Sequence, residues 1–535
     1  MTAEKLVTTK YGKKILIYSD YSEKDKIMKL DWNITHRSWS PDNKGFIVDN
    51  TLATLKALKS IDCHVQEEIS KPLTNAASNK KKSLKKSKAL TSNLKIPVND
   101  GLKYMPFQKA GIEYMQGKEN CLLADDQGIG KTIQVIGLIN LNHKKMNKIL
   151  VVCPSSIKLN WEKELEKWLV RKDYSIQPIF SAKKFDDKAD ILIINYALLS
   201  KHKEMLAKYT FDLIVADESH KLKNGKALRT KAFFKIKGNK KLFLSGTPIL
   251  NRPIELYTIL KNIGLFNNWL KFITRYCGAY KDRFGWNTGG ASNLKELQQI
   301  LRENVMIRRL KKDVLPELPD KIHQVISIPT KSKDMKIIKK ELILYEEYKE
   351  TQKEIKLLKS RGLDTNESAI KMRLVFAELA KLRHDVAVVK IPFIIDFLKD
   401  SLENGNKIVL FAHHKDVTGA IYNEFKDISR TIVGATKSED RQRAVDDFQN
   451  DPNVRLFVGS IMACAEGITL TASSNVVFAE LTWQPAIMTQ AEDRTHRIGQ
   501  KNNVLIQYIT LQNSLDEHMS KLLAKKKAIF NEAMN

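Results

Sequence analysis

Residues 122–132 read Leu122-Leu123-Ala124-Asp125-Asp126-Gln127-Gly128-Ile129-Gly130-Lys131-Thr132. The apolar start predicts a buried strand, the glycines a loop, and Lys131-Thr132 the first turn of a helix. Glycines let backbone N–H groups approach phosphates, and the helix N-terminus adds the positive end of its dipole. In such a loop Lys131 reaches the β- and γ-phosphates, and the Thr132 hydroxyl ligates Mg²⁺. The stretch therefore predicts a nucleoside triphosphate site.

One position departs from the general phosphate-loop pattern, Gly-x-x-x-x-Gly-Lys-Ser/Thr. The pattern has glycine where this chain has Asp125, whereas the shorter core from Gly128 to Thr132 is intact. Because so short a core arises by chance in long chains, the assignment depends on the rest of the sequence.

The length and charge of the chain limit what it can be. Its 535 residues, 43% of them apolar, predict two or three globular domains. The net charge of +29 indicates a polyanionic partner, most simply nucleic acid. The alternative, a merely soluble lysine-rich chain, is less consistent with a triphosphate site.

The cysteines predict neither structural zinc nor disulfides. They are scattered, none at Cys-x-x-Cys spacing, at Cys63, Cys121, Cys153, Cys277 and Cys464. The first residues lack the form of a signal peptide, and no apolar stretch approaches the length of a membrane span. We therefore expect no membrane partner and a cytoplasmic location in a bacterial or phage-infected cell, or a nuclear one in a eukaryote.

Two series of short apolar runs alternate with helical stretches, which is typical of parallel sheets covered by helices. The first series comprises Cys121–Ala124, Ile149–Val152, Ile191–Ile194, Leu213–Ala216 and Leu242–Leu244. The second comprises Ile408–Phe411, Thr431–Val433, Leu456–Val458, Val476–Phe478 and Val504–Tyr508. The expected fold class is thus α/β, with two parallel-sheet lobes.

Other segments complete the predicted organisation. Residues 1–70 form a small α+β module with a hairpin at Trp32–Ser40 and Gly45–Val48. The lysine-rich segment 71–99 is a basic flexible linker, whose lysines either contact phosphates, form a nuclear signal or only tether. Apolar faces in the middle of the chain predict an antiparallel helix pair. The predicted domains are 1–70, the linker 71–99, lobe 1 at 100–325, a helical insertion at 326–390, lobe 2 at 391–513 and a C-terminal helix at 514–535.

Two further constellations carry chemistry. Asp217 and Glu218 end a predicted strand, where ligands of parallel sheets bind. Asp217 is suited to hold Mg²⁺, and Glu218 to orient or deprotonate an attacking water. Far downstream, Arg494 and Arg497 are three residues apart, so they share one face of a helix and can reach a γ-phosphate across an interface. The simpler interpretation of Asp217 and Glu218 is an acidic turn at the end of a strand. The simpler interpretation of the two arginines is a surface ion pair.

Together these motifs resemble those of the superfamily 2 helicase-type motors, and among them the Swi/Snf-type DNA-dependent ATPases. The resemblance rests on motifs in order: Asp217-Glu218-Ser219-His220, Ser245-Gly246-Thr247-Pro248 and the run from Gln490 to Gln500. Arg308-Arg309-Leu310-Lys311-Lys312-Asp313-Val314 resembles a stretch characteristic of the family. The resemblance as a whole implies two RecA-like lobes with helical insertions, a helical protrusion on lobe 1, and a brace helix from Ser514.

The resemblance also implies site residues. The catalytic residues are Lys131, Asp217, Glu218, Arg494 and Arg497, with Mg²⁺ held at Thr132 and Asp217. The ATP-binding residues are Gln108, which reads the adenine edge, then Gln127, Gly128, Ile129, Gly130, Lys131 and Thr132, and Gly467 in a motif that couples DNA to the ATP site. The DNA-contacting residues are Pro154, Ser155, Ser156, Trp161, Asn195, Tyr196, His413, Thr436, Ser460 and Thr471.

A closer resemblance is to the HepA-related annealing-helicase branch. The run from Phe478 to Pro485 carries it, and the N-terminal module, with Trp39 before a turn and Phe46 after it, resembles the small module of that branch. Two departures stand out. Gln127 replaces the usual methionine, and Ala463-Cys464-Ala465-Glu466 replaces a more glycine-rich form. In the resembled family an acidic residue at the Asp125 position is ordinary.

The resulting expectation is an ATP-driven translocase on double-stranded or forked DNA that anneals strands or remodels forks in DNA repair or replication. It acts as a monomer, beside a single-strand-binding protein, and the Lys-, Asn- and Ile-rich composition suggests a phage or bacterial source. Two alternatives stay open. In the first, the motor displaces proteins such as RNA polymerase from DNA. In the second, the chain is a DNA-binding regulatory module, and ATP binding only switches its shape.

Overall fold

The computed structural model describes the chain except residues 1, 10–11, 20–22, 181–185, 247–251, 283–284, 333, 362, 404, 466 and 521–535. It divides into two compact units, Met1–Lys86 and Ser87–Asn535. Among the described residues, no helix is both long and apolar enough to cross a membrane. The five cysteines are free and buried.

The first unit is a five-stranded sheet with helices, ordered β3-β4-β2-β1-β5. Its elements are β1 (Thr2–Thr9), β2 (Gly12–Tyr18), α1 (Lys24–Met28), α2 (Trp32–Thr35), β3 (Ser38–Ser40), β4 (Gly45–Asp49), α3 (Leu52–Lys59), β5 (His64–Val65) and α4 (Glu67–Ser87). Ile15 and Ile17 of β2, Val48 of β4 and Leu58 of α3 are fully buried in its core. The sheet makes this unit an α+β module.

One prediction in this part of the chain is confirmed in part, and another is wrong. The hairpin is shorter than expected, because Trp32–Thr35 is helical and only Ser38–Ser40 pairs with β4. The predicted flexible linker is helical as far as Ser87. Glu67 and Glu68 lie in the first turn of α4, and Lys85 and Lys86 in the last, which suits the helix dipole.

Lobe 1 is built on a seven-stranded parallel sheet, ordered β14-β6-β11-β10-β7-β9-β8. Its elements are α5 (Pro106–Gln116), β6 (Asn120–Leu123), α6 (Lys131–Leu141), β7 (Ile149–Cys153), α7 (Lys158–Trp168), β8 (Ile176–Pro178), β9 (Ile191–Asn195), α8 (Lys203–Ala207), β10 (Thr210–Asp217), α9 (Leu228–Lys235), β11 (Lys237–Leu244), α10 (Ile254–Asn262), α11 (Trp269–Tyr276), β12 (Tyr280–Asp282), β13 (Gly285–Asn287), α12 (Leu294–Asn304) and β14 (Met306–Ile307). Both faces of the sheet are covered by buried apolar side chains.

Lobe 2 is built on a six-stranded parallel sheet, ordered β15-β20-β19-β16-β18-β17. Its elements are α13 (Lys311–Val314) at the entrance, β15 (Lys321–Ile328), α14 (Met335–Arg361), α15 (Asn366–Glu403), β16 (Ile408–Ala412), α16 (Lys415–Glu424), β17 (Ser429–Ile432), α17 (Ser438–Asn450), β18 (Leu456–Ser460), α18 (Ile461–Cys464), β19 (Asn475–Phe478), α19 (Pro485–Glu492) and β20 (Val504–Leu511). The predicted fold class, α/β with two RecA-like lobes, is confirmed.

The helix pair α14–α15 is an insertion within lobe 2. β15 precedes it and pairs with β20, so this lobe begins before the predicted insertion at 326–390 and not at residue 391. The pair contacts the loop before α19. The Trp483 ring stacks on Tyr345 with centroids 5.7 Å apart, and the Arg383 guanidinium lies 5.1 Å from the Trp483 ring. Of the predicted brace helix, Leu515–Ser520 are helical, and the rest lies outside the described residues.

Candidate functional site

The phosphate loop runs from the end of β6 to the start of α6. Gly128 and Gly130 have φ values of 77° and 83°, in the left-handed region that glycine tolerates without strain. A side chain at Gly130 would also lie 2.5 Å from Gln108 Nε2. Gln108 itself donates to Ile129 O at 3.3 Å and accepts from Met105 N at 3.0 Å, so it supports the loop from behind. The loop thus has the predicted strand–loop–helix form.

Lys131 is directed back over this loop. Its Nζ donates to the backbone oxygens of Asp125 and Asp126, at 2.9 and 3.1 Å. Burial lowers the pKa of Lys131, against the opposing effect of nearby acidic groups, of which Glu218 is the strongest. The ammonium is therefore held at the loop by carbonyls that phosphate oxygens can replace.

Asp125 has a structural role that the sequence did not reveal. Its carboxylate is fully buried and accepts from Arg309 Nε and Arg309 N, each at 3.0 Å, and from Gln134 Nε2 at 3.0 Å. Arg309 Nη2 completes a two-pronged ion pair with it. Asp125 therefore fixes the residues after β14 behind the phosphate loop instead of lining the phosphate site.

The predicted catalytic carboxylates lie at the end of β10. Asp217 Oδ2 accepts from Trp161 Nε1 at 2.9 Å, and Asp217 Oδ1 accepts from Glu218 N at 2.9 Å. Burial, together with the Glu218 charge, raises the pKa of Asp217 to about 6. Burial alone would raise the pKa of Glu218 as well, but His220, whose Nδ1 lies 3.3 Å from Glu218 Oε2, and nearby cations lower it. Glu218 is thus kept ionised, as a base requires.

The two arginines of lobe 2 reach the phosphate loop of lobe 1. Arg494 Nη2 donates to Gln127 Oε1 at 2.9 Å. Arg497 lies over Gly128, where an added Cβ would be 3.2 Å from Arg497 Nε. Burial, together with the charge of Arg494, lowers the pKa of Arg497 to about 9. The structure therefore brings together residues that are more than 350 positions apart.

The segment between the lobes contacts both halves of this site. Arg308 Nη1 donates to Ala124 O at 2.7 Å, and Lys311 N donates to Asp126 Oδ2 at 3.1 Å. Lys311 Nζ donates to Asp493 Oδ1 at 2.7 Å, next to Arg494. The sequence marked this stretch only as a family feature. Its partners were not predictable because they are distant in the chain.

A second contact between the lobes involves two predicted motifs. Gly467, with φ 78°, packs against Ile157, and a Cβ on Gly467 would lie 1.7 Å from Ile157 Cγ2. Ile157 directly follows Ser155-Ser156, predicted to grip DNA. The next residue, Ile468, accepts from Arg497 Nη1 at 2.9 Å through its backbone oxygen. One contact therefore joins the predicted DNA grip to the arginines.

The predicted DNA-contacting residues fall into two groups. Ser155 and His413 are exposed, and Ser156, Asn195, Thr436, Ser460 and Thr471 are half-buried. Trp161, Tyr196 and Pro154 are buried. Trp161 bonds the Asp217 carboxylate, and Tyr196 Oη donates to Asp217 O at 2.7 Å. Both side chains therefore help to position Asp217, and a DNA contact through either of them stays a prediction.

The residues present fit ATP with Mg²⁺. The loop glycines leave room for phosphates, and the buried carboxylates of Asp217 and Glu218 concentrate negative charge that a divalent cation would neutralise. Within the described part of the chain, Gln127 Nε2 and Glu218 Oε2 are buried without a hydrogen-bond partner. Thr247 and Pro248 of the predicted Ser245–Pro248 motif lie outside the described residues.

Comparison with known proteins identifies the class. The model of the SNF2-related domain matches residues 100–386, and that of the helicase conserved C-terminal domain matches residues 389–499. The chain belongs to the SNF2-related family, which confirms the family predicted from the motifs.

Two curated relatives and one solved structure illustrate the likeness. The chain is 36% identical over 444 residues to the SWI/SNF-related matrix-associated actin-dependent regulator of chromatin subfamily A-like protein 1 of Xenopus tropicalis, covering 81% of this chain and 45% of the relative. It is 34% identical over 453 residues to the DNA annealing helicase and endonuclease ZRANB3 of Mus musculus, covering 81% and 41%. The Sulfolobus solfataricus SWI2/SNF2 ATPase core in complex with dsDNA is 25% identical, with a TM-score of 0.39, covering 82% of this chain and 95% of that one. The chain thus spans less than half the length of these two curated relatives.

Proposed function

We propose that this chain is a DNA-dependent ATPase that translocates on double-stranded DNA. The observation that carries the proposal is the hydrogen bond from Arg494 of lobe 2 to Gln127 in the phosphate loop of lobe 1, at 2.9 Å. An arginine supplied across an interface stabilises the charge of a transferring phosphoryl group. Opening and closing the lobes would then control hydrolysis and be driven by it.

Each site residue has a defined part in this proposal. Lys131 exchanges its two loop carbonyls for phosphate oxygens when the triphosphate binds. Glu218, kept ionised by His220 and nearby cations, orients and deprotonates the attacking water. Thr132 and Asp217 would hold Mg²⁺, which supplies charge neutralisation at the β- and γ-phosphates. Arg494 and Arg497 close over the γ-phosphate from lobe 2.

DNA is the polyanion best suited to the excess positive charge of the chain, +29 overall. The contact between Ile157 and Gly467 gives DNA a route to the ATP site, because Ser155-Ser156 adjoin Ile157 and Ile468 O holds Arg497. DNA drawn across both lobes would favour their closed arrangement and so stimulate hydrolysis. Phosphate contacts predict sequence-tolerant binding that weakens steeply with salt.

The biological role that we favour is the remodelling of DNA structures, by annealing strands or reshaping forks. The name of the mouse relative, a DNA annealing helicase, supports this role, as does the HepA-like form of the run from Phe478 to Pro485. Gln108 and Gly467 are proposed to bind the nucleotide with the loop residues. The alternative role, displacement of DNA-bound proteins, would use the same motor. It is tested in the same experiment as annealing.

The decisive experiment compares ATP hydrolysis without DNA and with single-stranded, duplex and forked DNA, in wild type and in Lys131→Ala. We expect duplex or forked DNA to stimulate the wild type and not the variant. A wild type whose turnover is the same with and without DNA would contradict the motor and favour an ATP-switched module. Annealing of strands coated with a single-strand-binding protein, beside displacement of a stalled RNA polymerase, then separates the two motor roles.

A further inference from the structure

Gln127 occupies the point at which the two lobes meet over the phosphate loop. Its side chain is 6% exposed, and its amide oxygen accepts from Arg494 Nη2 at 2.9 Å. Gly246, at the end of β11, closes the same space. A Cβ there would lie 2.4 Å from Gln127 Cγ and 3.3 Å from Lys131 Nζ. Gln127 is therefore surrounded by the arginine, the lysine and the loop that a triphosphate would contact.

The amide nitrogen of Gln127 is the unexplained atom at this point. It is buried, and it has no hydrogen-bond partner among the residues that the structure describes. Leaving a buried amide donor unpaired is unfavourable for the folded protein. Such a cost persists at functional sites where a ligand supplies the missing acceptor. Because the Arg494 guanidinium and the Lys131 ammonium both lie at this point, the acceptor that fits is an anionic oxygen.

We propose that Gln127 is a positioning residue for the terminal phosphate of the bound triphosphate. Its amide oxygen holds the Arg494 guanidinium at the loop, and its amide N–H donates to a γ-phosphate oxygen. One side chain thus contacts both the third phosphate and the arginine of the opposite lobe, so the presence of that phosphate affects the position of the arginine. The inference rests on the proposed ATPase function and assigns to Gln127 the distinction between triphosphate and diphosphate.

The test measures binding affinities for ADP and for a non-hydrolysable triphosphate analogue, each with Mg²⁺. In Gln127→Met the side chain keeps its length but loses its N–H donor and the amide oxygen that holds Arg494. We expect triphosphate affinity to fall about tenfold, while ADP affinity changes less than about twofold. In Gln127→Glu the oxygen that holds Arg494 remains but the donor is replaced by charge, and we expect a larger loss for the triphosphate.

Two controls separate this effect from a change in folding. Gln116→Met makes the same substitution on the outside of α5, where the Gln116 side chain exchanges hydrogen bonds with Asn142, and should leave both affinities unchanged. Gly246→Ala adds a methyl group that displaces Gln127, and should reproduce the loss of triphosphate preference if Gln127→Met is poorly folded.

Two outcomes overturn the inference. The first requires a wild type that prefers the triphosphate. If Gln127→Met then lowers the affinities for ADP and for the triphosphate analogue equally, or lowers neither, the inference fails and the proposed function stands. If the wild type binds neither nucleotide, the proposed function fails and the inference falls with it. A selective loss of triphosphate affinity in Gln127→Met and Gly246→Ala supports it.

Discussion

Asp125 and Arg309 form a buried ion pair behind the phosphate loop, with both side chains closed to solvent. Arg309 donates to Asp125 from its backbone nitrogen and from Nε, each at 3.0 Å, and through Nη2. The residue that departs from the general loop pattern is thus the anchor of the segment that leads to lobe 2.

Replacing Asp125 by the glycine of the general pattern should destabilise the protein. Asp125→Gly leaves the Arg309 charge buried without its counter-ion, and breaking such a pair costs about 3–5 kcal/mol. The free energy of unfolding, from chemical denaturation followed by circular dichroism, measures the loss. Asp100→Gly, at an exposed turn, is the matched control and should change it by less than about 0.5 kcal/mol. Equal effects of the two substitutions would show that the pair contributes nothing.

The ion pair also illustrates what sequence could predict. Most of the predicted strands of the two lobes are apolar runs in the interior of their sheets, which is why the sequence revealed them; β17, at an edge, is the exception. In the two large parallel sheets, the missed strands β8, β14 and β15 lie at the edges, where one side is unpaired and runs are short or polar, as in the mostly exposed β15. The candidate catalytic residues could be named from motifs, because each motif is local, and their catalytic roles stay predictions.

The roles that were missed depend on partners far along the chain. The Arg309 that bonds Asp125 is 184 residues away, and no local pattern marks the pair. Trp161 was assigned to DNA by its place in a motif, but that place puts its indole N–H against Asp217. Family resemblance thus located the site, whereas the directions of its side chains required the folded chain.

Acid should destabilise the folded state through His496. Burial, together with the charges of Lys311 and Lys321, lowers the pKa of His496 to about 4, from an ordinary value of 6.5. The unfolded chain therefore takes up the proton first as pH falls, and stability is lost between about pH 6.5 and pH 4. The total loss from this group is about 3 kcal/mol.

The variant His496→Gln isolates this contribution. Glutamine can still donate to Pro319 O, which His496 Nε2 contacts at 2.6 Å, but it does not titrate. We expect the stability difference between wild type and variant to shift in favour of the variant as pH falls from 7 to 4.5. Unfolding free energies at both pH values measure it, and a difference independent of pH would contradict the assigned titration.

The close approach of Gly467 to Ile157 predicts a defect in lobe closure. Gly467→Ala places a methyl group where Ile157 Cγ2 lies 1.7 Å away, at a φ that alanine tolerates poorly. Overpacking of this kind costs about 1–3 kcal/mol, so we expect DNA-stimulated kcat to fall about tenfold. ADP affinity should fall by less than kcat, because most of the proposed nucleotide contacts lie in the phosphate loop of lobe 1.

A second substitution tests the origin of that defect. Ile157→Ala removes the atoms that the new methyl group meets, and in the double variant with Gly467→Ala it should restore part of the lost kcat. No recovery would place the cause in the strained backbone at residue 467 instead of in the contact between the lobes.

Lys390 should stabilise lobe 2 only together with its partner. It is buried in α15 and donates to Ala479 O, Ile509 O and Asp516 Oδ2, at 2.7, 3.0 and 2.6 Å. Lys390→Met leaves Asp516 buried without this cation and should cost about 3–5 kcal/mol. The double variant Lys390→Met/Asp516→Leu should recover much of this, and thermal unfolding compares them. Additive losses would contradict the coupling.

The connection between the lobes limits how far the two lobes can separate. The chain leaves lobe 1 after Ile307 and enters the lobe 2 sheet at Lys321, and Arg308, Arg309 and Lys311 N–H are held to the phosphate loop. Only residues 312–320 are then free to extend, which allows a reach of about 30 Å even if α13 unwinds. The connecting segment is therefore held to the nucleotide loop. In the proposed motor, the length of a single step along DNA would be bounded by these few residues of backbone.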